Sequence, residues 1–393
     1  MAESGSFFLT KQKDKPDIGF TTGTCAAAAA CAAARMLVTG EYVYYVSIMT
    51  PKGLPVFIEI VESSLCDGYA VCAVRKMSGT DPDVTDGVLV YAKVSLTEEA
   101  SDKSVDSSIV IDGGIGVGRV TLPGLDQPVG NAAINHVPRL MISECVRKEI
   151  GAGRGAKVVI SIPAGVELAA KTFNPRLGIT GGISVLGTSG IVEPMSQQAL
   201  LDTIQVEINM RKALQYPVLP MAPGNYGKDF LLKSYGFAIE TAVTTSNFIY
   251  DTIRKAVDAG FSKLLFIGHI GKLVKVAGGV KNTHSKYGDR RMEILCSIVQ
   301  DVLCDRGKSF VKTLQESVSA CISTDEAVKI LKEAGCAELV MSEMTARIQS
   351  YMSEWAGKAV QVEAIVFSNV HGILGKTSDA EKFIDYMKGA IHG

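Results

Sequence analysis

The chain has 393 residues, of which 47% are hydrophobic and 21% charged. This composition excludes a disordered or fibrous protein, and the length suits two domains, with three as the alternative. The formal net charge of −1 excludes the global basic field with which nucleic-acid-binding proteins hold phosphates, so a charged ligand needs a local patch of charge.

Neither the N-terminal sequence nor the cysteine spacing contains a recognisable targeting, disulfide or metal-binding motif. The first twenty residues lack a basic start, an apolar stretch and a small-residue cleavage site, which predicts no secretory signal and a cytoplasmic location. The longest weakly apolar run, 25–34, is shorter than the roughly 20 residues that span a bilayer, so we expect no membrane insertion. Nine cysteines, none in a C-x-x-C pair, favour buried thiols over disulfide, redox or metal sites.

The first part of the chain combines one helix with several strands. The alanine-rich segment after Thr24 predicts a helix for which Thr24 is a plausible N-cap. β-branched and aromatic segments then predict strands joined by short turns, at 43–49, 55–61, 69–75 and 87–94. We therefore expect a mixed α+β domain with a mixed sheet over residues 1–150.

From about Lys157 strands alternate with helices. Strands are predicted at 158–163, 183–187, 261–268 and 360–368. Helices are predicted at 196–213, 246–259, 308–319, 324–356 and from Asp379. This alternation indicates βαβ units, so we predict an α/β protein whose second domain, 151–393, has a largely parallel sheet, with the connection somewhere in 147–157.

The loop Gly19–Cys25 is the first candidate site. Three threonines, Thr21, Thr22 and Thr24, precede the alanine helix. Their hydroxyls and the free N–H groups of the helix N-terminus could receive a carboxylate or phosphate. An ordinary N-cap after a turn explains the same residues equally well.

Two further loops carry weaker signals. The segment 78–87 concentrates three aspartates that could hold a cation, but its Asp, Pro and Gly residues favour a structural turn. The segment Asp112–Arg119 superficially resembles a dinucleotide loop. Its glycine spacing is poor and no helical pattern follows it, so the Rossmann interpretation fails.

The segment 172–195 is rich in glycine and leads into a helix that begins after Pro194. Gly181, Gly182, Gly187 and Gly190 remove side chains where a ligand could approach, and Glu193 could reach a ribose or an amino group. In open α/β sheets such crevices lie at the carboxyl ends of strands. The alternative is that the glycines only permit tight packing.

The segment 268–291 carries the strongest local charge. Between Ile270 and Arg291 there is one anion, Asp289, against six cations: Lys272, Lys275, Lys281, Lys286, Arg290 and Arg291. A solvated basic face is the usual explanation of such a run. Its position just after a strand instead suggests a pocket for a ligand with several carboxylates or phosphates. His284 could donate a proton or ligate a metal, although a lone histidine is more often a structural group.

These segments together resemble one family. They read GFTTGTCAAAAA (19–30), DPDVTDG (81–87), GGIGVGRVTLPGL (113–125), TFNPRLGITGGISVLGTSGIVEPMS (172–196), SNFI (246–249) and GHIGKLVKVAGGVKNTHS (268–285). In this order they are similar to the cobalt-precorrin-5B C-1-methyltransferase family (CbiD) of anaerobic cobalamin biosynthesis.

The resemblance implies transfer of a methyl group from S-adenosylmethionine to C-1 of a cobalt-corrinoid, giving cobalt-precorrin-6A. We expect the donor against Gly181, Gly182, Gly187, Thr188, Gly190 and Glu193. We expect the substrate carboxylates against Thr21, Thr22, Thr24, Lys272, Lys275, Asn282 and His284, with Asn247 as a further candidate. Lys272 and His284 are also the candidates for a catalytic role. Cobalt enters only as part of the substrate, so we expect no protein metal site.

Other functions remain open on the sequence alone. A non-catalytic carrier of a cobalt-tetrapyrrole would also need the basic segment but not the glycine-rich crevice. A phosphate-transfer enzyme would use Gly23-Thr24, yet no G-x-x-x-x-G-K-[ST] motif occurs. A homo-oligomer and transient contacts with neighbouring pathway enzymes are compatible with the sequence; nucleic acid and membrane partners are not expected.

Overall fold

A computed structural model of the chain describes residues 18–97, 109–151, 153–194 and 196–392. The prediction about a secretory signal concerns mainly residues 1–17, which lie outside the described residues. The chain forms two compact units, the first ending at Ser196 and the second beginning at Gln197. Each unit has its own hydrophobic core.

The N-terminal unit contains short strands and three helices. In chain order they are β1 (Gly19–Phe20), α1 (Thr22–Thr39), β2 (Tyr45–Met49), β3 (Pro55–Glu59), β4 (Glu62–Cys66), β5 (Tyr69–Arg75), β6 (Leu89–Thr97), β7 (Ile109–Gly113), β8 (Gly116–Val117), β9 (Arg119–Val120), α2 (His136–Ile150), β10 (Gly155–Ser161), α3 (Gly165–Leu168), β11 (Ile179–Thr180), β12 (Gly182–Ile183) and β13 (Ile191–Val192). Single 3-10 turns follow α3, at Ala169–Lys171 and Pro175–Leu177.

The main sheet of this unit has five strands in the order β4-β5-β6-β10-β7. All neighbours are antiparallel except β10 and β7, which are parallel. The mixed sheet predicted for this part of the chain is therefore confirmed. Alternate residues of β6, Val90, Ala92 and Val94, are buried toward the helices, as expected for a sheet covered on one face.

Helix α1 is the centre of this core. Every residue from Cys25 to Ala34 is buried, which is expected of a helix that is apolar on all sides. Alanine side chains allow α2 and the strands β5 and β6 to approach the α1 backbone closely. At the other end, the N–H of Gly40, at φ 74°, donates to the carbonyl of Met36 and ends the helix.

By length and composition alone, α1 could also cross a membrane, although the apolar run within it is short. The position of α1 in the fold indicates a core helix instead, because 78% of this 18-residue segment is buried inside the protein. Burial likewise raises the pKa of the Cys25 thiol to about 12. Cys66 and Cys304 are exposed, contrary to the expectation of buried thiols.

The C-terminal unit alternates strands and helices. In chain order they are α4 (Gln197–Ala213), β14 (Leu219–Ala222), α5 (Asn225–Tyr235), β15 (Val243–Thr244), α6 (Ile249–Asp258), β16 (Lys263–His269), α7 (Ile270–Ala277), α8 (Arg291–Val302), α9 (Lys308–Ser319), α10 (Thr324–Glu333), α11 (Ala337–Ala356), β17 (Gln361–Ser368), β18 (Gly372–Lys376) and α12 (Ala380–His392). Single 3-10 turns occur at Ile239–Thr241, Ser285–Tyr287 and Cys304–Arg306.

Its five strands lie in the order β15-β14-β16-β17-β18. The first four are parallel, and β18 returns antiparallel to β17. Helices cover both faces, with two separate apolar clusters on the two sides of the sheet. The predicted α/β class with a largely parallel C-terminal sheet is therefore confirmed.

The predicted domain boundary at 150/151 needs correction. Strand β10 follows that position in sequence, yet it pairs with β6 and β7 inside the N-terminal sheet. The glycine-rich segment 178–190, assigned to the second domain by sequence, also lies in the first unit. The structural division falls instead between Ser196 and Gln197.

Two predicted elements also differ in detail. The helix expected over 324–356 is two helices, because Gly335 at φ 65° breaks it between α10 and α11. The strand expected over 183–187 is reduced to β12, Gly182–Ile183. Strand β14 and helix α5 were not predicted.

The dense packing around α1 leads us to expect that a larger side chain there destabilises the protein. Ala28→Leu adds three carbon atoms at a site with no exposed surface, and we expect it to lower the free energy of unfolding by about 1–3 kcal/mol. Urea or thermal unfolding followed by circular dichroism measures the change. Ala170→Leu, at an exposed position of the same unit, is the control and should change stability by less than about 0.5 kcal/mol; equal effects would contradict the packing of α1.

Candidate functional site

The first candidate site joins two segments that are far apart in sequence. Strand β1 pairs with β13, which places the threonine loop beside the glycine-rich loop 186–190. Thr21 caps α1 by accepting the N–H of Thr24 at 3.2 Å. The Thr24 hydroxyl in turn donates to the carbonyl of Gly190 at 2.6 Å. The predicted threonine and glycine motifs thus form one structure.

Thr22 completes this connection. Its hydroxyl donates to the carbonyl of Leu186 and accepts the Leu186 N–H, at 3.2 and 3.1 Å. All three threonines are at most 8% exposed. The structure therefore uses their hydroxyls to hold the glycine loop, and a direct contact with substrate stays a prediction.

The glycines of this region serve different purposes. A Cβ on Gly187, at φ 138°, would lie 2.3 Å from the Thr21 hydroxyl, and one on Gly182 would lie 2.3 Å from the backbone of Gly116. A Cβ on Gly190 would meet the Cβ of Thr50 at 2.9 Å. At these three positions glycine permits close packing. Gly181 differs, because it is exposed and no atom lies within 4 Å of its Cβ position.

A small cleft of about 250 Å³ lies next to this loop. Its lining is mostly apolar, from Ile18, Leu54, Ile191, Val192 and Pro194, and Glu193 forms an ion pair with Lys52 there. Thr188 is exposed nearby in sequence. The volume is below the roughly 300–1,000 Å³ of sites for whole drug-sized ligands, so the cleft has room for one part of such a molecule.

The aspartate loop 78–87 supports the same region. The buried ammonium of Lys76 donates to Asp83 Oδ2 at 2.7 Å and to the Ser78 hydroxyl at 2.6 Å. Asp83 Oδ1 accepts two hydrogen bonds from Thr85 at 2.8 Å. Burial favours a higher pKa for Asp83, but Lys76 and Thr85 outweigh it and hold the pKa below its ordinary value. The preceding backbone, Met77, accepts the N–H of Phe20, so this loop positions β1.

The second candidate site is the carboxyl edge of the C-terminal sheet. Strand β14 lies between β15 and β16, and the chain goes from β14 to one side and later to the other. Ligands of open α/β sheets bind at such a switch point. The loops there are 223–224 after β14, 245–248 after β15 and the start of α7 after β16.

Lys272 and Lys275 of the basic segment lie on α7 but have different surroundings. The Lys272 ammonium donates to the carbonyls of Pro223 at 2.9 Å and Ser246 at 3.4 Å, which places it at the switch point. Burial and the charge of Lys275 lower its pKa. Lys275 is 6% exposed and donates to the carbonyls of Thr283 and Gly288. Its ammonium therefore holds the following loop.

The rest of the basic segment is more exposed and largely partnered. His284 caps the turn Ser285–Tyr287 by accepting the Lys286 N–H, and Asn282 accepts the His284 N–H at 3.1 Å. Asn247 accepts the N–H of Thr283 through its carbonyl. The two arginines form ion pairs, Arg290 with Glu293 and Arg291 with Asp289. The predicted excess of positive charge is thus partly neutralised locally.

A further polar cluster at the same edge was missed by the sequence analysis. His269 Nδ1 accepts the Gly271 N–H at 3.1 Å, and its Nε2 lies 3.9 Å from Asp325 Oδ1. The Ser368 hydroxyl donates to the same carboxylate oxygen at 2.6 Å. Burial lowers the pKa of His269 despite Asp325. Because Asp325 and Ser368 are 43 residues apart, no local spacing could have indicated the cluster.

Comparison with known proteins identifies the family. The CbiD model matches residues 9–194, and the model of the CbiD C-terminal domain matches residues 282–378. A cobalt-precorrin-5B C(1)-methyltransferase of Ruminiclostridium cellulolyticum is 42% identical over 93% of this chain and 92% of its own length. The chain belongs to the CbiD family.

A second curated relative and a solved structure are also similar to this chain. The cobalt-precorrin-5B C(1)-methyltransferase of Alkaliphilus metalliredigens is 40% identical over 97% of both chains. The crystal structure of the cobalamin biosynthesis protein cbiD from Archaeoglobus fulgidus is 27% identical, covers 70% of this chain and 84% of that chain, and superimposes with a TM-score of 0.36.

The end of the first matched range lies close to the structural division. The first ends at residue 194, two residues before the end of the N-terminal unit. The switch-point loops, with Lys272 and Lys275, lie between the two matched ranges. Within the described ranges from 18 to 392, no group of three or more His, Cys, Asp or Glu side chains is arranged to hold a metal ion.

The Lys76–Asp83 pair predicts a pH-dependent stability. A lowered folded-state pKa stabilises the fold above the unfolded pKa, about 3.9, and this contribution is lost as the pH falls through the folded value. We expect Asp83→Asn to cost about 1–3 kcal/mol at pH 7. Its difference from the unmodified protein should shrink below about pH 4.

Urea unfolding between pH 7 and pH 3 measures this difference. Asp81→Asn, in the same loop, is the matched control and should remain within about 0.5 kcal/mol of the unmodified protein at every pH. If the difference in free energy of unfolding between Asp83→Asn and the unmodified protein stays constant with pH, the carboxylate charge does not stabilise the loop.

Proposed function

We propose that this protein methylates C-1 of cobalt-precorrin-5B with S-adenosylmethionine as the donor, giving cobalt-precorrin-6A. The observation that carries the proposal is the match to relatives named for this methyltransferase over nearly the whole chain, 93% in one case and 97% in another. Those names belong to enzymes, so the carrier hypothesis has no observation in its favour.

The reaction depends more on the positioning of the two reactants than on a reactive side chain. A carbon of the conjugated macrocycle attacks the methyl carbon as the bond from that carbon to the sulfonium sulfur breaks, and the sulfur keeps the electron pair. The leaving group is a neutral thioether and needs no protonation. Holding the two reactants in line and in near-attack contact therefore supplies much of the rate.

The donor part of the proposal uses the cleft beside the glycine loop. Its apolar lining suits a purine ring, and the Glu193 carboxylate can accept hydrogen bonds from a ribose diol or an amino group. Gly181 and Thr188 are exposed and available for contact. Gly182, Gly187 and Gly190 contribute indirectly. Because they have no side chain, the backbone at these positions can pack closely against its neighbours.

The substrate part uses the polar groups of the C-terminal unit. The corrinoid carries several carboxylates, and Lys272, Asn282 and His284 present donors that could bind them. Lys275 and the threonines Thr21, Thr22 and Thr24 act in this proposal by holding the loops on which such contacts depend. Cobalt arrives inside the substrate, and the reaction takes place in the cytoplasm.

Steady-state kinetics tests the donor assignment. Under anaerobic conditions, formation of S-adenosylhomocysteine should require cobalt-precorrin-5B. Glu193→Gln should raise the KM for S-adenosylmethionine about tenfold, equivalent to about 1.4 kcal/mol, with a smaller change in the KM for the corrinoid. Glu167→Gln, an exposed position of the same unit, is the control.

Two outcomes would contradict the proposal at different levels. If the unmodified protein forms no S-adenosylhomocysteine with authentic substrate, the proposed reaction is wrong. If turnover occurs and Glu193→Gln raises only the KM for the corrinoid, the cleft holds the substrate and the two assignments must be exchanged.

A further inference from the structure

Two cysteines of the N-terminal unit lie where the helices α1 and α2 pack together. Cys31 belongs to α1 and is 3% exposed. Cys145 belongs to α2, is partly exposed and packs against the same hydrophobic core. Both are free thiols, and the proposed methyl transfer uses neither of them.

Contacts on either side of this pair show that the two helices run in the same direction with a constant offset in sequence. Near the start of α1, a Cβ on Gly23 would lie 2.7 Å from the side chain of Pro138 in α2. About three turns later, Arg35 forms an ion pair with Glu149 at 2.7 Å. The partners of this ion pair are 114 residues apart. The same offset brings the two cysteines level with each other, one turn before the ion pair.

The interface between the helices is narrow at this point. On α1 the residues 26–30 and 32–34 are alanines, and all of them are buried. Small side chains let two helices approach closely, and a disulfide needs Cα atoms about 4.4–6.8 Å apart. The thiols of Cys31 and Cys145 share a hydrogen bond across the interface. The two sulfur atoms are therefore neighbours in the folded protein.

The surroundings make the two thiols unequal. The hydrogen bond between them raises the pKa of Cys31, and burial and the nearby charge of Glu149 act in the same direction. The same hydrogen bond lowers the pKa of Cys145. The thiolate is the reactive form of cysteine, and Cys145 is also the more exposed of the two. Cys145 is therefore the thiol that reacts first, with Cys31 beside it.

We propose that Cys31 and Cys145 are an oxidation site for hydroperoxides, at which the two thiols close to a disulfide between α1 and α2. The Cys145 thiolate attacks a peroxide oxygen, the O–O bond breaks, and Cys145 becomes a sulfenic acid as hydroxide leaves. The Cys31 sulfur then attacks the Cys145 sulfur, and the sulfenic hydroxyl leaves as water with the Cys31 proton. Two thiols lose two electrons, and one hydrogen peroxide is reduced to two molecules of water.

The disulfide restrains the helix on which the N-terminal unit depends. Helix α1 carries at its start Thr22 and Thr24, which hold the glycine-rich loop. A link halfway along α1 ties this helix to α2. It also closes a long segment of chain, which restricts the unfolded protein more than the folded one. The oxidised protein should therefore unfold at a higher temperature than the reduced protein.

Treatment of the folded, full-length protein with hydrogen peroxide tests the site. The parent is the double variant Cys66→Ser, Cys304→Ser, which lacks two exposed thiols that could link separate molecules. After oxidation the remaining thiols are blocked, and the protein is digested without reductant for mass spectrometry. We expect peptides joined through Cys31 and Cys145 and a raised thermal midpoint, with both changes reversed by dithiothreitol.

Single substitutions in this parent separate the two roles. In Cys31→Ala we expect Cys145 to stop at the sulfenic acid, which a 1,3-diketone reagent traps. In Cys145→Ala we expect Cys31 to stay a thiol, because it is buried. Cys72→Ala removes another buried thiol of the same unit. It is the matched control and should form the link as fully as the parent.

Two results would overturn the proposal. The first is a peroxide treatment that oxidises the exposed Cys66 of the unmodified protein but leaves Cys31 and Cys145 as thiols. The second is a link that forms only when urea has unfolded the protein, because the folded helices would then not hold the two sulfur atoms within reach of each other. Neither result depends on methyl transfer, so the proposed function is tested separately.

Discussion

The N-terminal unit depends on one polar connection, between the start of its buried alanine helix and the glycine-rich loop. Thr24 and Thr22 bind the carbonyls of Gly190 and Leu186 across more than 160 residues of sequence. The helix is apolar and buried from Thr22 to Ala34, so its first N–H groups need partners inside the protein. The glycine loop and the cap of Thr21 supply them. The cleft beside Glu193 exists because this connection fixes the loop from 186 to 193.

In the C-terminal unit too, side chains donate hydrogen bonds to backbone carbonyls of loops, here at the edge of the parallel sheet. Its parallel strands all end at one edge, where backbone carbonyls and helix N-termini meet. Lys272 and Lys275 satisfy carbonyls of the loops there. Each ammonium donates to two carbonyls, but Lys275 is buried, at 6% exposed, whereas Lys272 is partly exposed. The difference shows how a run of like charges divides into residues that hold loops and residues that can bind a ligand.

Much of the fold could be predicted from local sequence. The alanine helix, the early strands and the later alternation of strands and helices follow from composition and periodicity. The domain boundary could not, because β10 looks like the first strand of a new domain and is placed by its pairing with β6, about sixty residues earlier. The break at Gly335 could have been predicted from the sequence, since glycine is the residue that most often ends a helix.

The candidate site shows the same limit. The glycine and threonine motifs were visible, but spacing could not tell that Gly187 and Gly190 make room for Thr21 and Thr24. Nor could it show that Lys275 is buried on two carbonyls, or that His269, Asp325 and Ser368 meet. Each of these depends on long-range packing, which residue types alone do not specify.

The most direct measurement is an anaerobic incubation of the protein with cobalt-precorrin-5B and S-adenosylmethionine carrying a ¹³C-labelled methyl group, followed by mass spectrometry and carbon NMR of the corrinoid. We expect one added methyl group, labelled and bonded to C-1. Label at another carbon, or no label despite binding of both reactants, would contradict the proposed reaction.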